Sequence, residues 1–72
     1  MSVRAKFRVE SVTLLENNSG QVKLRAVTGG SGENLDFWKY TPAGDLSMHI
    51  DNEAALGQFT PGQEYYVDLT SA

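Results

Sequence analysis

Three basic side chains stand at alternate positions near the start of the chain, Arg4, Lys6 and Arg8, and Lys23 and Arg25 repeat that spacing further on. Alternate residues of a strand share a face, so each set presents its charges together. If the two segments pair as an antiparallel hairpin, five of the six basic residues gather on one exterior patch. Such a patch tracks a phosphate backbone, meets an acidic protein surface, or simply stands in solvent. A solvated face ordinarily mixes signs to relieve cross-strand repulsion. The aromatic residues offer matching chemistry. Phe37, Trp38 and Tyr40 fall within four positions, and Tyr66 follows on a later segment. Of these, Trp38, Tyr40 and Tyr66 stack on bases, anchor a protein interface, or fill a small second core beneath a helix. The candidate partner-binding residues are therefore Arg4, Lys6, Arg8, Lys23, Arg25, Trp38, Tyr40 and Tyr66.

Groups suited to catalysis are sparse. His49 is the only histidine, and there is no cysteine. A nucleophilic triad needs a base beside its Ser or Thr, and His49 sits on an alternating segment that turns it toward solvent. Asp51, two residues on, shares its face, but one imidazole and one carboxylate make a poor ligand set for a transition metal. Asp51 and Glu53 read as charges at a helix start rather than as an acid and a base. The run TGGSGEN (28–34) resembles a phosphate-cradling loop in its glycines alone. It lacks the Lys-Ser/Thr of that motif and no long helix is expected after it. The expectation is a non-enzymatic protein with no metal, no cofactor and no small-molecule substrate.

Charge is unevenly distributed. Residues 1–29 carry five bases against two acids, and residues 30–72 carry one base against seven acids, within a net charge of −3. Net acidity opposes a polyanion at long range, which favours a protein partner, or copies of the chain itself, over single-stranded nucleic acid.

The elements that position these residues follow from periodicity. Val3, Ala5, Phe7 and Val9 alternate with the basic set, as in a half-buried strand. The phase slips after Glu10, where Val12 and Leu14 carry the apolar character, so a β-bulge is expected at Glu10–Ser11. ENNSG (16–20) supplies Asn and Gly for a hairpin turn. Strand two is QVKLRAV, with Val22, Leu24 and Ala26 inward. TGGSGEN reads as a flexible loop, and LDFWKY (35–40) as strand three, with Leu35 and Phe37 inward and Trp38 and Tyr40 outward. It forms a hairpin through TPAGD with strand four, DLSMHI, where Leu46, Met48 and Ile50 point inward. Asp51 or Asn52 caps a short helix over 51–59. TPGQ (60–63) fits a type II turn, and EYYVDL forms the last strand.

The expected fold is mainly β: one domain over residues 1–72, a five-stranded, partly closed barrel of SH3-like or OB-like type, in the order β-β-β-β-α-β. A helical turn before the last strand fits the SH3-like type better. Its expected core is Val3, Phe7, Val9, Val22, Leu24, Phe37, Leu46, Met48, Ile50, Phe59, Val67 and Leu69. No apolar run approaches the roughly 20 residues that span a bilayer, and MSVRAKFRVE lacks a signal peptide's apolar stretch. The expectation is a soluble chain without membrane contact.

The segments FRVESVT, AVTGGSGENLDFWKYTPAGDLSMHI and FTPGQEYYVDLTSA together resemble a group of small proteins encoded by tailed bacteriophages and prophages. The sharpest pieces are the S/T-P-x-G turn after an aromatic run, here TPAG, and the closing F-x-P-G-x-E-Y-Y-V-D. These pieces are structural, and no functional residue carries over from them. The resemblance implies a phage origin, a shared barrel and a location in the virion or the host cytoplasm. It favours a minor virion or capsid-associated protein of the decoration type, acting through its outer β surface. The alternatives are an OB-like single-strand binder and a small acidic inhibitor of a host protein.

Overall fold

The computed structural model describes residues 2–72. The opening alternation forms β1 (Ser2–Leu14), thirteen residues long. It pairs antiparallel with β2 (Gly20–Ala26), and the register shifts between Val9 and Ser11, where the slip in apolar phase predicts a bulge. The connecting turn is tight because Asn17 and Asn18 both adopt left-handed backbone angles, with φ of 65° and 59°. β3 (Asp45–Ile50) pairs with β2, and β4 (Glu64–Thr70) pairs with the other side of β1. The sheet order β3-β2-β1-β4 is antiparallel throughout and follows the Greek-key sequence of neighbours. The final turn is as expected: Gly62 has φ of 87°, and Gln63 N–H donates to Thr60 O at 3.0 Å.

Two expectations are corrected. The sheet has four strands, not five, and the elements run β-β-α-β-α-β. The segment read as strand three belongs to α1 (Gly32–Tyr40), so its hairpin with DLSMHI does not exist. Helix signals were present beside the strand-like alternation. Ser31 is the N-cap and its side chain accepts from Asn34 N–H, Glu33 lies in the first turn and Lys39 in the last. The last three residues of TGGSGEN, read as a flexible loop, are the first of that helix. The second helix, α2 (Glu53–Leu56), is capped by Asn52, whose side chain accepts from Ala55 N–H.

The four strands form a half-barrel with an apolar concave face. Ala5, Phe7 and Val9 of β1 and Val22, Leu24 and Ala26 of β2 are buried there, closed at one end by Leu56 of α2. Leu46, Met48, Ile50, Phe59, Tyr65 and Val67 pack around them half-buried. Small Ala26 leaves room for Phe7 to reach across β2 toward Gly44, where an added Cβ would lie 3.8 Å from the ring. Three expected core residues fall outside. Val3 and Leu69 are register partners at the open end of the β1–β4 pair, 60% and 62% exposed. Phe37 left the concave face when its segment became helix. Among the described residues neither β3 nor β4 has a strand on its outer edge, so the sheet does not close. No helix among them is long and apolar enough to cross a membrane.

Candidate functional site

The alternating charges of β1 acquire their partners through strand order. Antiparallel register sets Arg4 opposite Asp68, Lys6 opposite Tyr66 and Arg8 opposite Glu64. Arg4 is bidentate on Asp68, with Nε to Oδ1 at 2.7 Å and Nη2 to Oδ2 at 3.2 Å. Arg8 Nη2 donates to Glu64 Oε2 at 3.0 Å, and on the far side Arg25 Nε meets Glu10 Oε2 at 3.1 Å. The expected basic patch is therefore a mixed-sign face. Arg8 and Arg25 do stand opposite each other across β1 and β2, but each holds its own carboxylate. Lys23 faces Ser11 and Ser47, and of the five it has no ion-pair partner among the described residues.

Helix α1 is fastened over this face by polar contacts. Lys6 Nζ donates to Glu33 Oε2 at 2.5 Å and lies 3.6 Å from Glu64 Oε1, its side chain only 11% exposed. Tyr66 OH donates to the other Glu33 oxygen at 2.8 Å. Asn34, 2% exposed, donates from Nδ2 to Gly29 O at 2.8 Å and to Glu64 Oε2 at 2.7 Å. Its Oδ1 has no protein partner. The charge consequences agree in direction. The hydrogen bond from Lys6, then that from Tyr66, holds Glu33 below the usual carboxylate range. Arg8 does the same for Glu64 and Arg4 for Asp68. Glu33 in turn raises Lys6 and Tyr66 above their ordinary values.

Beside this clasp lies an aromatic surface. Phe37 packs on Tyr66 with ring centroids 5.8 Å apart and planes tilted by 47°. Asp36, Phe37 and Tyr40 line an open cleft of about 190 Å³. Tyr40 is 80% exposed, with Lys39 Nζ 5.9 Å from its ring centre, and Arg4 lies 5.0 Å over the Tyr66 ring. Trp38 goes to the other flank of α1, where Nε1 donates to Pro42 O at 3.2 Å and Leu35 stands exposed nearby in the sequence. Phe37 fills a small core beneath the helix, and Tyr40 and Tyr66 remain available at its border.

The arrangement thus brings Arg4, Lys6, Arg8 and Tyr66 together with Glu33, sets Arg25 opposite Arg8, places Tyr40 beside Phe37 at the end of α1, and leaves Lys23 and Trp38 apart. Sequence reasoning passed over Glu33, Asn34, Glu64 and Asp68. A signal for two of them existed, since Glu64, Tyr66 and Asp68 alternate as the antiparallel complement of Arg4, Lys6 and Arg8. Among the described residues no group of three or more His, Cys, Asp or Glu converges as a metal site would require. No family model matches the chain, and no curated protein or solved structure does so either.

Proposed function

We propose that the chain is a non-catalytic interaction module, a minor head- or capsid-associated protein of a tailed phage, docking through the surface around Phe37, Tyr40 and Tyr66. The observation that carries this reading is the exposed Tyr40 ring at the last turn of a helix whose first turn is anchored by Glu33 and Asn34. A rigid aromatic with little rotamer entropy to lose is the type of residue that anchors interfaces. Lys39 beside the Tyr40 ring adds a cation to that end of the patch, suited to a carboxylate of a partner surface. Internal pairing of Arg4, Lys6, Arg8 and Arg25 weakens the single-strand reading, because those guanidinium and ammonium groups already neutralise carboxylates. Among small barrels, α2 immediately before the last strand favours the SH3-like relation over the OB-like one.

The test is co-sedimentation with purified particles of the phage or prophage that encodes the chain. The wild type should pellet with particles at a fixed stoichiometry, and Tyr40→Ala should reduce its occupancy about tenfold or more. Failure of the wild type to associate would sink the virion assignment.

A further inference from the structure

The half-barrel ends on β4, which has no strand beside its outer edge among the described residues. Natural sheets blunt a free edge with Lys, Pro, a bulge or a covering element. The β4 segment, Glu64–Thr70, has no Lys, Pro or bulge, its two charged side chains Glu64 and Asp68 are held by Arg8 and Arg4 of β1, and it is rich in strand formers, Tyr65, Tyr66 and Val67 among them. The direction of its backbone groups is fixed by the neighbouring ladder. Lys6 O accepts from Val27 N–H at 3.1 Å, on the β2 side, and Val9 N–H donates to Gln63 O at 2.9 Å, on the β4 side. Alternation along β1 then directs Ala5 and Phe7 to β4, so Tyr65, Val67 and Leu69 bond inward. The N–H and C=O groups of Tyr66 and Asp68 point out from the free edge.

We infer that β4 pairs antiparallel with β4 of a second copy about a two-fold axis at Val67, joining two half-barrels into one eight-stranded sheet. Charge selects that register. An axis at Tyr66 would set Glu64 against Asp68 of the second copy, and an axis at Asp68 would set two aspartates face to face, both unfavourable. The axis at Val67 places Tyr66 opposite Asp68 and Glu64 opposite Thr70, with no like charges in contact. It also aligns all seven residues, and their outward backbone groups meet in hydrogen-bonded pairs. On the concave side it sets Val67 against Val67 and Leu69 against Tyr65. The apolar end left uncovered in one copy, Val3 and Leu69, then continues into that of the other. The contact is isologous and closes at two copies. This inference rests on the interaction reading and deepens it by naming one partner, the chain itself.

The experiment uses the absence of cysteine. In a non-hydrogen-bonded pair, opposing Cα atoms stand about 4.5 Å apart, within the range a disulfide spans. Val67→Cys should therefore oxidise to a linked dimer far faster than Thr13→Cys, on the far half of β1, or Ser47→Cys, on the β3 edge. Sedimentation of the wild type from about 1 µM to about 1 mM should show a monomer–dimer equilibrium. Leu69→Lys, at an exposed position, should keep the wild-type circular dichroism and weaken dimerisation by about tenfold or more. A wild type that stays monomeric across that range, or preferential linking through Ser47→Cys, would overturn the proposal. A monomeric Leu69→Lys that still pellets with particles separates the two ideas, since docking then survives without the dimer. Loss of docking by Tyr40→Ala with dimerisation intact shows the converse.

Discussion

Lys6 and Glu33 lie 27 positions apart in the sequence and 2.5 Å apart in the fold, and their contact fastens α1 to the first strand. The same carboxylate accepts from Tyr66 OH on β4. One helix is thereby tied to two neighbouring strands through a single side chain, which makes its seating depend on protonation.

Glu33 and Glu64 both titrate below their ordinary range in the folded chain. Depressed carboxylates contribute stability that is present above their unfolded values and lost as pH falls through the folded ones. Lys6 and Tyr66 are raised, so their contribution is present below the unfolded values and lost as pH rises through the folded ones. The melting temperature should fall on both the acid and the strongly alkaline side. Glu33→Gln should flatten both limbs, and added salt should lessen the difference between variant and wild type, because Glu33 is half exposed to solvent. A melting profile of Glu33→Gln parallel to wild type over that whole pH range would remove the clasp from the stability of the fold.

Phe7 and Phe37 should behave differently. Phe7 lies in the concave core, and Phe7→Ala should cost about 3–5 kcal/mol, enough to threaten so small a domain. Phe37 is half-buried against Tyr66 beneath α1, and Phe37→Ala should cost about 1–2 kcal/mol. Urea titrations of both variants give the order, and an equal or larger loss for Phe37 would return that ring to the main core.

That contrast shows what was legible in the sequence. Strands with period two and one apolar face announced themselves, as did the bulge, both glycine- or asparagine-bearing turns and the short capped helix before the last strand. The segment 35–40 carried two periods at once. Leu35 and Phe37 alternate as a strand would, while Ser31, Glu33 and Lys39 are placed as helix ends require. The tie was broken by contacts with Lys6, Glu64 and Tyr66, which lie on other strands and are invisible to local pattern. Strand order was equally non-local. The placement of β4 beside β1 gives Arg4 and Arg8 their carboxylates, α1 gives Lys6 its own, and Val3 and Leu69 stand uncovered at the open end of the β1–β4 pair.

Gly20 and Leu56 form a second close relationship. A Cβ at position 20 would lie 2.6 Å from Leu56 Cδ2 and 2.8 Å from Thr13 O, so β2 admits α2 only because this residue has no side chain. Gly20→Ala should destabilise by about 1–3 kcal/mol through overpacking. Leu56→Ala opens a cavity at the same place and should cost about 2–5 kcal/mol. In the double variant the added methyl occupies part of the space the leucine vacates, so the combined loss should be smaller than the sum. Strict additivity in a double-mutant cycle would mean that the strain lies with the Thr13 carbonyl rather than with Leu56.

Asn34 provides the sharpest test of the helix anchor. Its buried Nδ2 donates at once to Gly29 O and Glu64 Oε2, so the position needs a donor directed at two acceptors. Asn34→Asp preserves shape but replaces the donor with an oxygen facing a carbonyl and a carboxylate. Asn34→Ala removes the bonds without adding a charge, at about 1–3 kcal/mol for the unsatisfied groups. At neutral pH Asn34→Asp should be the more damaging of the two, since it also buries an unpaired negative charge beside Glu64. The order should narrow or reverse in mild acid. Repulsion raises the folded pKa of the introduced carboxyl group, and on protonation it regains a donor. Thermal melts of both variants at neutral and mildly acidic pH decide the matter. If Asn34→Asp stays as stable as wild type at neutral pH, the two donations from Nδ2 are not what holds α1 in place.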